Sequence, residues 1–135
     1  MSVTIVTGIW DIKRNELTVG WNRKFDHYLR NFEKLLKCED NMIVYIEEQY
    51  KSFVEERRSL DNTKIIVREV EWFKNNSVIF NRIQEIRTNP DWFNQVGWLS
   101  ESTQAKLEMY NPLVMSKVFL LNDAKILDPF NSELM

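Results

Sequence analysis

The run Val3-Thr-Ile-Val-Thr-Gly-Ile-Trp-Asp11 decides how this chain is read. Val3, Ile5 and Val6 are apolar, and Thr4 and Thr7 are β-branched with only one hydroxyl each. Neither face of Val3–Ile9 is polar. That pattern suits a strand covered on both sides, as in a parallel sheet flanked by helices. Gly8 marks the end of the strand, and Asp11 to Gly20 reads as a polar loop.

The rest of the first half repeats the theme. Phe25, Tyr28, Leu29, Phe32, Leu35 and Leu36 recur at helical spacing and predict an amphipathic helix ending near Lys37-Cys38. Met42 to Ile46 is a second apolar strand. Tyr50, Phe53, Val54 and Arg57 mark a second helix, stopped at Asp61-Asn62. Lys64 to Val70 predicts a third strand. The order β-α-β-α-β calls for right-handed crossovers and a parallel sheet with helices on its faces.

From Trp72 onward the residues are helix-period or irregular. Ile79, Phe80, Ile83 and Ile86 share a helix face that Asn89-Pro90 should end. Ser100 or Ser102 suits a cap for the next helix. Leu107, Tyr110, Val114, Lys117, Val118 and Leu121 form one stripe, interrupted by Asn111-Pro112 as a kink or a fresh start. Asp128 to Ser132 is turn chemistry. The expected class is a three-layer α/β, Rossmann-like half domain over 1–135. It has a short, mostly parallel sheet, helices on both faces and a helix-rich C-terminal half. Three strands make a thin sheet, so further strands are expected after Ser132.

Composition narrows the function. The chain has 135 residues, one domain's worth. Eighteen basic and 20 acidic side chains leave a net charge of -2. With no basic block longer than Arg57-Arg58, a nucleic-acid module is disfavoured. One Cys and one His cannot build a Cys/His zinc site. No apolar run approaches the roughly 18 residues that span a bilayer. The N-terminus lacks the pattern of a signal peptide, so the expected compartment is the reducing cytoplasm, its membrane surface included.

Ligands of open parallel sheets bind beyond the carboxyl ends of the strands. This rule selects Thr7, Gly8, Ile9, Trp10 and Asp11 after the first strand, Glu47 and Glu48 after the second, and Glu69 and Glu71 after the third. Each has two readings. Gly8 either admits a phosphate or base close to the backbone or simply turns the chain. Trp10 either stacks on a base or packs. Asp11 and Glu47 either bind ribose or base, or sit in solvent. Lys117, on the apolar stripe, either meets an anion or snorkels out. No Gly-rich phosphate loop and no Asp-x-Asp is present.

Two stretches go further. Thr4 to Arg14 (Thr-Ile-Val-Thr-Gly-Ile-Trp-Asp-Ile-Lys-Arg) and Asn111 to Ala124 (Asn-Pro-Leu-Val-Met-Ser-Lys-Val-Phe-Leu-Leu-Asn-Asp-Ala) resemble the HtrL/YibB family. That family is read as glycosyltransferases of lipopolysaccharide or other surface-glycan synthesis. The resemblance implies a GT-A-type fold and a nucleotide-sugar donor. By position it carries donor contacts onto Thr7, Gly8, Ile9, Trp10, Glu47 and Lys117. Family members are about twice this length, and their acidic metal motif follows the segment at which this chain stops. The resemblance therefore implies no metal ligand here, a divalent cation (Mg²⁺ or Mn²⁺) only in a full-length relative, and a complementary C-terminal half as partner. Alone, the chain is expected to be inactive in transfer. The alternatives are a non-catalytic binding or assembly module and an inactive remnant.

Overall fold

The computed structural model describes residues 2–17, 23–131 and 133–134. The later part of the loop expected over Asp11 to Gly20 falls outside them, as does Ser132 of the expected turn. The chain separates into two compact units. One comprises Met1–Trp10, Tyr28–Glu69 and Lys117–Met135; the other comprises Asp11–His27 and Val70–Ser116.

The first unit holds a parallel sheet in the order β3-β2-β1-β4. Its strands are β1 (Val3–Ile9), β2 (Asn41–Ile46), β3 (Thr63–Val67) and the two-residue β4 (Glu133–Leu134). Helix α1 (Phe25–Leu35) lies between β1 and β2 in sequence, and α2 (Lys51–Glu55) between β2 and β3. β2 has a neighbour on each side, and Met42 to Ile46 are all buried. An uninterrupted apolar strand is what this central place requires.

Alternation sorts the side chains. Met42, Val44 and Ile46 form a core with Phe32 and Leu36, at the end of α1, and Val54 of α2. Ile5, Ile9 and Ile65 pack against that core from the adjoining strands. Tyr45, of the other parity, donates its hydroxyl to the Leu120 carbonyl at 2.9 Å, on the long helix that precedes β4. Helices therefore cover both faces of the sheet.

One arginine closes the turn into β2. Arg58 donates to the carbonyls of Leu36 (3.1 Å), Cys38 and Asp40 (2.7 Å), and its Nε donates to Thr63 Oγ1 at 2.7 Å. The carbonyls just past a helix end lack intrahelical donors, and a guanidinium's forked N–H groups suit them.

The second unit is helical. It contains α3 (Val70–Asn76), α4 (Phe80–Arg87), α5 (Pro90–Phe93) and α6 (Thr103–Lys106). It also holds the opening turns of α7 (Tyr110–Leu127), whose remainder belongs to the first unit. Phe73 is fully buried, edge-on to Trp72. Lys74 bridges Glu108 at 2.7 Å and Glu71 at 3.2 Å. Arg87 donates to the Ala105 carbonyl at 2.7 Å. Asn89 caps α5 with Pro90 at its first position, and Ser102 caps α6.

Three readings need correction and one resolves. β3 ends at Val67, and Val70 opens α3. The second helix is only five residues long, behind a 3-10 turn at Glu48–Tyr50. Of the two readings of Asn111-Pro112 the fresh start holds, with the new helix opening at Tyr110 after α6 ends at Lys106, so Asn111 is inside it and not its cap. Pro112 stands in the first turn of α7, where a backbone N–H would have no intrahelical acceptor. Finally, α7 buries Leu113, Ser116, Leu120 and Ala124, leaving Val114, Val118 and Leu121 of the expected stripe exposed. Apolar residues circle this helix, so periodicity could not choose the face. Among the described residues, no helix is long and apolar enough to cross a membrane.

Candidate functional site

A cavity of about 310 Å³ opens beside the carboxyl end of β1. It is lined by Val6, Thr7, Gly8 and Trp10, by Tyr45 of β2, and by Lys117, Leu120 and Leu121 of α7. All eight residues belong to the first unit. The sheet order explains the position. β1 pairs with β2 on one side and with β4 on the other, so β1 is where successive connections diverge. Crevices in open parallel sheets form at such points. Val6, Thr7 and Gly8 are consecutive, so β1 presents its edge to the cavity as well as a face. Among the described residues, β4 pairs with β1 only at Val3 and Thr4.

Gly8 is needed here for a specific reason. A Cβ at this position would stand 2.5 and 2.7 Å from two atoms at the far edge of the Trp10 ring, and 3.1 Å from Tyr45 Cβ. The indole therefore folds back over Gly8, where carbon atoms pack no closer than about 3.5 Å. Trp10 Nε1 donates to the Arg68 carbonyl at 2.9 Å and fixes the ring. Of the two sequence readings of Trp10 the structure shows packing, and the packed ring also lines the cavity.

Tyr45 is the other aromatic wall. Burial, together with the Asp123 carboxylate, pushes its hydroxyl above the ordinary tyrosine value against the pull of the Arg68 guanidinium. Arg68 lies 5.8 Å from the Tyr45 ring centroid and 3.9 Å from Asp123. Lys117 differs from these groups. It is exposed, and among the described residues its ammonium has neither an ion-pair nor a hydrogen-bond partner. It is the cation of the cavity wall.

The structure thus gathers Thr7, Gly8, Trp10 and Lys117, but not all the expected residues. Ile9 has the opposite parity to Gly8 and packs on the core with Ile46 and Val54. It does not line the cavity. Glu47 is buried at the end of β2, yet it does not line the cavity either. Asp11 is held locally, its carboxylate accepting from Lys13 N at 3.0 Å. Val6, Tyr45, Leu120 and Leu121 line the cavity without having been expected there. Tyr45 carried a usable signal, since a tyrosine in an aliphatic strand needs a partner for its hydroxyl.

A family described as "Bacterial protein of unknown function (HtrL_YibB)" matches residues 1–135. The chain belongs to the HtrL_YibB family. No curated protein and no solved structure matches this HtrL_YibB chain.

Among the described residues, no group of three or more His, Cys, Asp or Glu is placed to hold a metal ion. What the HtrL_YibB cavity offers is two aromatic walls, aliphatic leucines and one unpartnered ammonium.

Proposed function

We propose that this chain holds a nucleotide-sugar donor, as the Rossmann-like, GT-A-type donor half of a glycosyltransferase of surface-glycan or lipopolysaccharide-type synthesis. The observation that carries this reading is the cavity at the carboxyl end of β1, with Trp10 in its wall and the unpartnered Lys117 at its side. A flat aromatic wall suits a base or ribose face, and an ammonium suits a diphosphate. At about 310 Å³ the cavity lies at the small end of ligand pockets, roughly 300–1,000 Å³. It suits part of a nucleotide-sugar, the remainder extending outward. Transfer by these residues alone is not proposed. The acceptor and the groups that would stabilise the departing nucleoside diphosphate lie outside this reading.

The test is calorimetric titration of the purified chain with UDP-, GDP-, CMP- and dTDP-sugars. Saturable binding of at least one, weakened in Lys117→Ala, supports the reading. No heat and no ligand-observed NMR transfer at millimolar concentrations for any of them refutes it. A second reading, a non-catalytic assembly module, draws on the exposed apolar residues Val114, Val118 and Phe119 of α7. Sedimentation of a strict monomer at high concentration would count against it.

A further inference from the structure

The hydrogen bonds of β2 fix which way the peptide groups of β1 point. In a parallel ladder each residue turns its N–H and C=O to one side, and the next residue turns its own to the other. Met42 N donates to the Asn62 carbonyl at 2.9 Å, and Arg68 N donates to the Ile46 carbonyl at 2.9 Å. Met42, Val44 and Ile46 therefore face β3, and Ile43 and Tyr45 face β1. Val6 stands opposite Ile43, and Gly8 opposite Tyr45. In a parallel pair a residue bonds to the two positions that flank its register partner. Ile43 thus takes Ile5 and Thr7, and Tyr45 takes Thr7 and Ile9. The peptide groups of Thr4, Val6 and Gly8 are left for the outer edge of β1. Among the described residues, β4 reaches only Val3 and Thr4 on that edge, and neither Val6 nor Gly8 has a hydrogen-bond partner there. Gly8 is exposed even with the Trp10 indole over one face, as an open edge requires. The Val6 carbonyl and the Gly8 N–H are therefore one acceptor and one donor of fixed sense, and both residues line the cavity that also holds Lys117. In a sheet such a pair holds the N–H and C=O of a single residue of the next strand. A planar group with a donor beside an acceptor satisfies both at once, and the base-pairing edge of a nucleobase is such a group. A ligand that filled the cavity without meeting them would leave a donor and an acceptor unpaired, which is costly.

We infer that the Val6 carbonyl and the Gly8 N–H hold the base of the nucleotide by its base-pairing edge, in place of the next strand. This rests on the nucleotide-sugar reading above and adds what recognises the base. The contact is made by the main chain, so no side-chain substitution removes it. The ligand has to be altered instead.

The experiment titrates the full chain, by calorimetry, with UDP, dTDP, GDP and CMP. Each is set beside its counterpart with the base-pairing donor methylated away, at N3 of uracil and thymine, at N1 of guanine and doubly at N4 of cytosine. Every nucleotide that binds should weaken by about tenfold or more on methylation, the order expected when one hydrogen bond is lost and its partner stays unpaired. Amide exchange followed by NMR separates this contact from simple bulk. In the free chain the Gly8 amide should exchange at least about tenfold faster than those of Thr7 and Ile9, which are bonded to β2. Saturating nucleotide should slow Gly8 by about tenfold and leave Thr7 and Ile9 unchanged. Equal protection of Gly8 and Thr7 in the free chain means that the edge is already filled, and overturns the inference. A methylated nucleotide bound as tightly as its parent overturns it too, as does a nucleotide bound with the Gly8 amide still open. In each of these cases the nucleotide site stands. Binding of none of the four parents, by a chain that melts cooperatively, removes the nucleotide reading and this inference with it.

Discussion

Replacing Gly8 with alanine tests how the cavity wall is built. The new methyl would meet the Trp10 ring at 2.5 and 2.7 Å and Tyr45 Cβ at 3.1 Å. Carbon atoms prefer separations of about 3.5–4.0 Å, so the ring edge must retreat by roughly 1 Å. Tyr45 Cβ cannot give way in the same manner, because Gly8 and Tyr45 are register partners in paired strands. The retreat therefore falls on Trp10, whose indole is held at its other end by the 2.9 Å bond to the Arg68 carbonyl. Losing that bond costs about 0.5–1.5 kcal/mol, and overpacking typically costs 1–3 kcal/mol. Because moving the ring relieves much of the overlap, the two should not add in full, and about 1–3 kcal/mol is expected. For a chain of this size that corresponds to a fall in Tm of roughly 3–10 °C. Urea unfolding gives the free energy, and near-ultraviolet circular dichroism reports the ring. A double-mutant cycle isolates the cause. In a Trp10→Ala background the same alanine should cost less by at least about 1 kcal/mol. An equal cost in both backgrounds would falsify the argument that Gly8 exists to seat the indole.

Two further outcomes follow from the same geometry. On α7, Leu120→Ala should cost about 2–5 kcal/mol because Leu120 is 5% exposed, whereas Val118→Ala, at 72% exposed, should stay within about 0.5 kcal/mol. The reverse order in urea unfolding would restore the face suggested by periodicity. The second outcome concerns Tyr45, whose hydroxyl is raised above the ordinary value chiefly by burial. Above about pH 10 the unfolded chain releases this proton while the folded chain keeps it. The folded state then binds more protons, so stability falls as pH rises. The contribution is complete below pH 10 and lost as the pH passes the folded value. Tyr45→Phe should be less stable at neutral pH but should lose stability less steeply between pH 10 and 11.5. Identical slopes would contradict the assignment.

Much of the first unit was legible in the order of residues. Val3–Ile9 and Met42–Ile46 are apolar on both faces, and only a covered parallel sheet accommodates such strands. Alternation with helices fixed their sense. Of the candidate site, topology named three places, the ends of β1, β2 and β3, and the cavity lies at the first of them. Its membership was less legible. Ile9 follows Gly8 in sequence but points into the core, and Glu47 ends a strand without reaching the cavity. Proximity along a strand tells nothing about which side a residue faces until the register is set.

The sequence by itself determined the α/β class of fold, the first two strands and the family. These depend on local patterns of apolar and β-branched residues, which act over a few positions. Tertiary structure alone decided which face of α7 is buried, since that helix is apolar nearly all round. It also decided that Trp10 lies over Gly8, and that the proton of Tyr45 belongs to Leu120. Each of these rests on contacts between residues remote in the chain, such as the 75 positions that separate Tyr45 from Leu120. Periodicity along one segment carries no record of the partner that will cover it.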